Sequence, residues 1–270
     1  MIKSIVVISD THFGCKFGLC PPKIKLDEGG YYYHSDLQKK VWNMWKEWWN
    51  KYVPIFTKDQ PFVLVHVGDC IDGVHHNSST QITHNLKDQL NIAKQVMRPA
   101  VAKAERYFHI RGTGSHVGTS GEADESLAES LGAEPDDIGN FARWELWLKM
   151  NRRLIHFSHH VGGTSSSAYE STAVYKELVE AFVQAGRFED RPPDVIVRGH
   201  RHRHFKTQVG DRWAEVVPGW QLKTPYVYRL ASGRASPPQF GGVVVRSGKD
   251  DPIYSRSKIW HVKRPKEVQI

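Results

Sequence analysis

Carboxylates and imidazoles gather in five short stretches of this sequence: Asp10-Thr11-His12, Gly68-Asp69-Cys70-Ile71-Asp72, Gly112-Thr113-Gly114-Ser115-His116, His159-His160 and Gly199-His200-Arg201-His202. The chain carries 15 histidines, an ample supply of the commonest metal ligand. Mixed carboxylate and neutral imidazole donors suit manganese, iron, nickel or zinc better than magnesium or calcium, which prefer all-oxygen shells. The donors are too many for one tetrahedral ion. Two ions bridged by one carboxylate would use them all, and such a pair activates water and clamps phosphate oxygens for displacement at phosphorus.

Each stretch directly follows an apolar run that reads as a strand: residues 4–9, 61–67, 107–110, 153–158 and 194–197. In open α/β sheets ligands collect at the carboxyl ends of strands, and the glycines allow sharp bends there. Helices are expected between the strands. One begins at Ser35, with Gln38 at capping-box spacing and a core stripe of Leu37, Val41, Trp45, Trp48, Trp49 and Tyr52. Others are expected at residues 86–105, kinked or broken by Pro99, at 122–131 and at 168–185. Residues 141–150 and 153–158 read as neighbouring strands, and the chain is β-rich after residue 200. The alternation predicts an α/β sandwich of two mixed sheets, one domain over residues 1–270, with a long loop at about 13–35 and a basic C-terminal tail.

Composition narrows the function classes. The 37 Lys and Arg against 29 Asp and Glu leave a net charge of +8, with 40% hydrophobic and 24% charged residues. Those values exclude extensive disorder, a collagen-like repeat and a disulfide scaffold. No apolar run approaches the roughly 20 residues of a membrane helix, and the N-terminus runs into a strand without a cleavage signal. Cys15, Cys20 and Cys70 are an odd number that suits a reducing compartment, so a cytoplasmic location is expected, with no membrane partner. The basic balance favours a polyanionic substrate. In the 13–35 loop, Lys16, Lys23 and Lys25 stand among Phe17, Tyr31, Tyr32 and Tyr33, a mixture suited to stacking on bases. Self-association stays open.

The motifs together resemble the calcineurin-like metallophosphoesterase superfamily, whose signature runs D-x-H, G-D-x-x-D, G-N-H-D/E, a downstream His and G-H-x-H. Here Asp10/His12, Gly68-Asp69/Asp72, His159-His160 and Gly199-His200/His202 follow in that order over about residues 5–205. The wording Arg111-Gly112-Thr113, then His116-Val117-Gly118 and Ser120-Gly121-Glu122, is similar to a subset associated with phage and prophage genomes. The resemblance implies a four-layered α/β/β/α sandwich with a dinuclear site of two divalent ions, manganese first, with iron, nickel or zinc as alternatives. It implies that Asp10, His12 and His202 hold one ion and that Asp69 bridges. His200 and one of His159 or His160, the former preferred, would hold the other ion. Asp72 would lie behind the ligands or shape the loop, and His116 would contact the scissile phosphate or protonate the leaving oxygen.

The third motif departs from the pattern, because Ser115 precedes His116 where the family has Asn. Three outcomes follow: a water fills the gap, Thr113 or Ser115 supplies an oxygen, or His116 itself becomes a ligand. Arg111, Arg198, Arg201 and His204 adjoin the motifs as candidate substrate or metal contacts, and His75 and His76 as candidate lining. His66, His109 and His156 read as satisfied polar groups inside strands. The expected activity is hydrolysis of phosphodiesters in nucleic acid or nucleotides. A phosphomonoesterase or a cyclic-nucleotide phosphodiesterase is the alternative, and the rival from another class is a nucleic-acid-binding protein with a degenerate metal site.

Overall fold

The computed structural model describes residues 3–75, 77–163, 169–230, 237–248, 252–262 and 267–269. Among them the strands are β1 (Ser4–Ile8), β2 (Lys23–Lys25), β3 (Tyr31–Tyr33), β4 (Val63–Val67), β5 (Arg106–Ile110), β6 (Ala142–Arg143), β7 (Glu145–Met150), β8 (Arg153–Ser158), β9 (Val195–Arg198), β10 (Phe205–Val209), β11 (Arg212–Val216), β12 (Gln239–Arg246) and β13 (Tyr254–His261). The helices are α1 (Asp36–Glu47), α2 (Val53–Thr57), α3 (Leu86–Val101), α4 (Gly114–Val117), α5 (Glu122–Leu131), α6 (Glu170–Arg187) and α7 (Pro225–Leu230), and a π-helical turn, Trp48–Tyr52, joins α1 to α2.

Two mixed sheets dominate. One runs β13-β12-β1-β4-β5-β6 and the other β10-β11-β9-β8-β7. β1, β4, β5 and β6 are mutually parallel, as are β8, β9 and β11, so the predicted strand ends fall on shared edges. The continuous apolar run of β1 is explained by its position between layers. Val6 and Ile8 face helical residues such as Val41, Trp45, Ile92, Met97 and Leu127, whereas Ile5 and Val7 face Ile155, Phe157, Val195 and Trp213 of the second sheet. On the far side of that sheet Ile196, Ala214 and Val216 pack against Val174 and Leu178 of α6. Helices, sheet, sheet and helix therefore stack as four layers, the α/β/β/α sandwich.

α1 starts at the Ser35 cap with the Gln38 capping box complete, and Val41, Trp45, Trp48 and Trp49 are buried as the stripe requires. Leu37, in the first turn, is half exposed and lies outside the buried stripe. Pro99 sits in the last turn of α3, which ends two residues later. Of the predicted 168–185 helix, residue 168 lies outside the described residues, as do His76 and the tail lysines and arginine at 263, 264 and 266.

Three expectations need correction. The 13–35 segment is not an open loop. Phe13 bridges Ile71, Cys15 bridges Gln81, Phe13, Cys15, Leu19 and Cys20 are fully buried, and β2 and β3 form a hairpin. Its Gly, Pro and Lys content masks apolar residues spaced to enter the core. Residues 141–150 are not one strand. β6 pairs with β5 in the first sheet and β7 with β8 in the second, so the chain changes sheets at Trp144. The β-rich C-terminal part also contains α7.

Candidate metal centre

The backbone at the strand ends is bent in an unusual way. Asp10, His12, Asp69, His200 and His202 have φ of +53°, +43°, +52°, +71° and +50°. Non-glycine residues in the left-handed region cost of order 1–3 kcal/mol each and persist only where their surroundings hold them. Here backbone hydrogen bonds do so: Asp10 N donates to Gly68 O at 3.0 Å, His12 N to Asp69 O at 3.1 Å and Trp220 N to Asp10 O at 2.8 Å. Two glycines are required by close approach. A Cβ on Gly68, itself at φ +80°, would lie 2.3 Å from His159 Nδ1, and one on Gly112 would lie 2.3 Å from Asp69 Oδ1.

One half of the centre is built from Asp10, His12 and His202. His202 Nε2 lies 3.2 Å from Asp10 Oδ1 and 3.0 Å from His12 Nε2. The Asp10 carboxylate is fixed from behind by the His200 backbone N–H, at 3.2 and 3.1 Å, and by the Ser9 hydroxyl. Asp72 faces His12 Nδ1 at 3.3 Å, on the opposite side of the ring from this cluster. The Asp72 carboxylate accepts from Gln81 Nε2 at 2.9 Å and Gln221 Nε2 at 3.1 Å. A carboxylate behind a ligating imidazole fixes its orientation and raises its basicity.

The other half surrounds Thr113. Its hydroxyl oxygen lies 3.2 Å from His159 Nε2, 3.3 Å from His200 Nδ1, 3.5 Å from His160 Nε2 and 3.3 Å from Asp69 Oδ2. His159 Nδ1 donates to Val67 O at 2.8 Å, which leaves the Nε2 lone pair facing inward. His159, His160 and His200 form one group able to hold a metal ion, and Asp10, His12 and His202 another.

Asp69 stands between the halves. Its Oδ2 is 3.1 Å from His159 Nε2 and 4.0 Å from both His12 Nε2 and His116 Nε2. The Thr113 backbone N–H donates to Oδ1 at 2.6 Å and locks the carboxylate in that pose. His116, on α4, donates from Nδ1 to Asp72 O at 2.6 Å and turns Nε2 toward Asp69.

Electrostatics favour the metal-binding form at Asp10, Asp69 and His200 and oppose it at His12, which burial alone would lower but the Asp72 and Asp69 carboxylates raise. Burial alone would raise the Asp10 and Asp69 carboxyls, but His202 beside Asp10 and His159 beside Asp69 hold both well below the usual carboxylate range. Burial, then the adjacent histidine charges, lower His116 and His200 to about 4. His159 behaves oppositely: burial disfavours its charged form, but Asp69 outweighs this and lifts it to about 9. Ionised carboxylates and neutral imidazoles are the forms that coordinate metal, and a cation competes with the proton that Asp69 draws onto His159. The inward-facing nitrogens and oxygens thus fit divalent cations in donor type, number and orientation.

Other sequence candidates fall elsewhere. Arg111 is not aimed at the centre: its guanidinium donates to Ala142 O, Ser120 O and Glu125 Oε2, tying β6 to α5. His204 is also drawn away, because Nε2 meets the buried Glu215 carboxylate at 2.7 Å. Ser115 is exposed on α4. Arg198 is buried against Glu177, and His75 Nε2 lies 3.6 Å from Asp72. His66 meets Thr11, and His156 meets Glu145. His109 is bonded to Tyr107 and Asp124, and Asp124 also accepts from Gly112 N at 2.7 Å. Sequence reading missed the supports Gln81 and Gln221, and it takes Asp124, with Glu122, Glu125 and Glu129, as a solvated helix face or a substrate-selecting group, whereas Asp124 is fully buried under the third motif. No local motif marks the glutamines: Gln81 stands nine residues beyond Asp72 in the following loop, and Gln221 comes from a segment remote in sequence.

No protein-family profile and no curated protein sequence matches this chain. Solved structures are similar to it. An archaeal phosphodiesterase aligns at 11% identity over 95% of this chain and 99% of its own, with a TM-score of 0.44. Zinc-complexed Vps29 from Entamoeba histolytica aligns at 11% identity over 96% and 98%, with a TM-score of 0.42. A predicted phosphoesterase from Streptococcus pneumoniae aligns at 11% over 96% and 98%, with a TM-score of 0.36. The likeness is distant. No helix among the described residues is long and apolar enough to cross a membrane.

Proposed function

We propose that this chain is a dinuclear-metal-dependent phosphodiesterase acting on nucleic acid or nucleotides. The observation that carries this reading is the position of Asp69, whose carboxylate belongs both to a group with Asp10 and His159 and to a group with His12 and His116. Asp10, His12 and His202 would hold one cation, and His159, His200 and the Thr113 hydroxyl the other, with His160 at its rim. Manganese is the first candidate cation, with iron, nickel or zinc as alternatives. When bound, such a pair supplies Lewis acidity to phosphoryl oxygens and makes water nucleophilic near neutral pH.

The chain's residues do the positioning. Thr113 N–H and His159 fix the Asp69 carboxylate, and Asp72 fixes His12 from behind. His116 Nε2, held by the Nδ1 bond to Asp72 O, faces the space beside Asp69 where the phosphoester would sit; with the ring proton on Nδ1 and the imidazole lowered to about 4, Nε2 is unprotonated and would accept a proton there rather than give one to the departing oxygen. The basic balance of the whole chain, +8, favours a polyanionic substrate over a small neutral ester.

The test is turnover of bis-p-nitrophenyl phosphate and p-nitrophenyl phosphate with manganese, nickel or magnesium, beside Asp69→Asn and His116→Ala. Metal-dependent diester hydrolysis lost in both variants supports the proposal. Preference for the monoester would make the chain a phosphomonoesterase. Absence of turnover with every metal, with nucleic-acid binding retained, would favour the binding protein instead. That second reading draws on Thr113, a weaker ligand than an amide side chain.

A further inference from the structure

A cavity of about 170 Å³ opens directly off the metal centre and shares His200 and His202 with it. Its other walls are Arg201, Arg203, Gln221, Leu222, Lys223, Val227 and Pro238. Among the described residues three cations line it and no carboxylate does. Glu170 stands behind Arg203 at 3.2 Å, and its carboxyl also feels Arg201, while Asp72 lies behind Gln221 at 3.1 Å and Asp10 beside His202 at 3.2 Å as parts of the centre itself. All three cations are half-buried, and Lys223 Nζ is steadied 3.9 Å above the Tyr228 ring. Placing like charges side by side in a concave, partly desolvated space raises the local potential and concentrates anions there.

The walls are held by the same contacts that build the centre. Gln221 donates to Asp72, Trp220 N to Asp10 O, Leu222 N to Phe17 O at 2.7 Å, and Gln239 N to His202 O at 2.9 Å. The cavity is therefore in fixed register with the metal ligands. Leu222, Val227 and Pro238 give it an apolar side against which a carbon skeleton can lie.

We propose that this cavity is a subsite for a second phosphate of the substrate, beside the phosphate that is cleaved, so that short oligonucleotides are preferred over isolated phosphate diesters. The inference rests on the phosphodiesterase reading and extends it from bond type to substrate length. Arg201 and Lys223 are the specificity-determining residues. Tyr226 and Tyr228, both exposed on α7, offer ring faces to a neighbouring base.

The experiment compares kcat/KM of the full chain with manganese for four substrates: bis-p-nitrophenyl phosphate, the dinucleotide TpT, and TpT carrying an added phosphate at its 5′ or 3′ end. One phosphorylated dinucleotide should exceed TpT by about tenfold, the order of one charge-assisted contact. That ratio should fall to about one in Arg201→Ala and in Lys223→Ala, and Lys223→Arg should restore it. The ratio is read within each variant, so a general loss of protein quality does not imitate the effect. Hydrolysis of bis-p-nitrophenyl phosphate with equal rates on all three dinucleotides would overturn the subsite and leave the phosphodiesterase reading standing. A preference that survives in both alanine variants would also overturn it. Absence of hydrolysis of any diester would remove the phosphodiesterase reading and the subsite together.

Discussion

The two halves of the centre are built to different standards. Asp10 and His12 are buried, sit on strained turns and are supported by Ser9, Asp72, Gln81 and Gln221. The other half keeps His159 buried but completes its shell with a half-buried hydroxyl, Thr113, and with the exposed His160. A neutral hydroxyl is a weaker donor than a carboxylate or imidazole. Affinity should accordingly be unequal, with a tight ion at Asp10, His12 and His202 and a looser one at Thr113. Asp69 belongs to both halves, so it joins a rigid site to an adjustable one.

The largest effect is expected where the halves meet. Asp69→Asn should lower diester turnover by at least about a hundredfold, measured as kcat on bis-p-nitrophenyl phosphate. A variant that keeps most of the rate would mean that the carboxylate is not shared. Next comes the support of the tight half. Asp72→Asn should weaken the tighter manganese-binding step by about 10- to 100-fold in calorimetric titration. Weakening of the looser step alone would reverse the assignment of the halves.

A smaller change, and the one that sharpens the contrast, concerns Thr113. Thr113→Val removes the hydroxyl at nearly constant shape and should weaken the looser step by about tenfold, or 1.4 kcal/mol. Thr113→Asn should tighten it. If both substitutions leave the two steps unchanged, the hydroxyl is not a donor. The smallest effect on the site is expected at Arg111. Arg111→Ala should cost about 1–3 kcal/mol of stability in denaturant unfolding, because Glu125, Ala142 O and Ser120 O each lose a donor, while both metal steps stay in place. Loss of metal binding without loss of stability would bring Arg111 back into the site.

Much of this arrangement was legible because the chemistry follows strand ends. Apolar runs at β1, β4, β5, β8 and β9 are easy to see, and Asp10, Asp69, His159 and His200 come one or two residues after them. Thr113 was harder. The sequence leaves Thr113 and Ser115 both open: aligning the third motif on His116 favours Ser115, whereas counting from the end of β5 favours Thr113, since α4 inserts a turn before the histidine. His204 alternates with His200 and His202 in sequence, but β10 begins at residue 205 and turns it toward Glu215. The sheet change at Trp144 and the β2–β3 hairpin depend on pairing partners remote in sequence, which local patterns do not carry.

Electron paramagnetic resonance of the chain loaded with two equivalents of manganese tests the shared carboxylate most directly. The expected result is the multiline spectrum of two exchange-coupled Mn²⁺ ions, replaced in Asp69→Asn by the six-line signal of isolated ions. A six-line signal from the unmodified chain at full loading would show that the ions, if both bind, share no ligand, and would contradict the account.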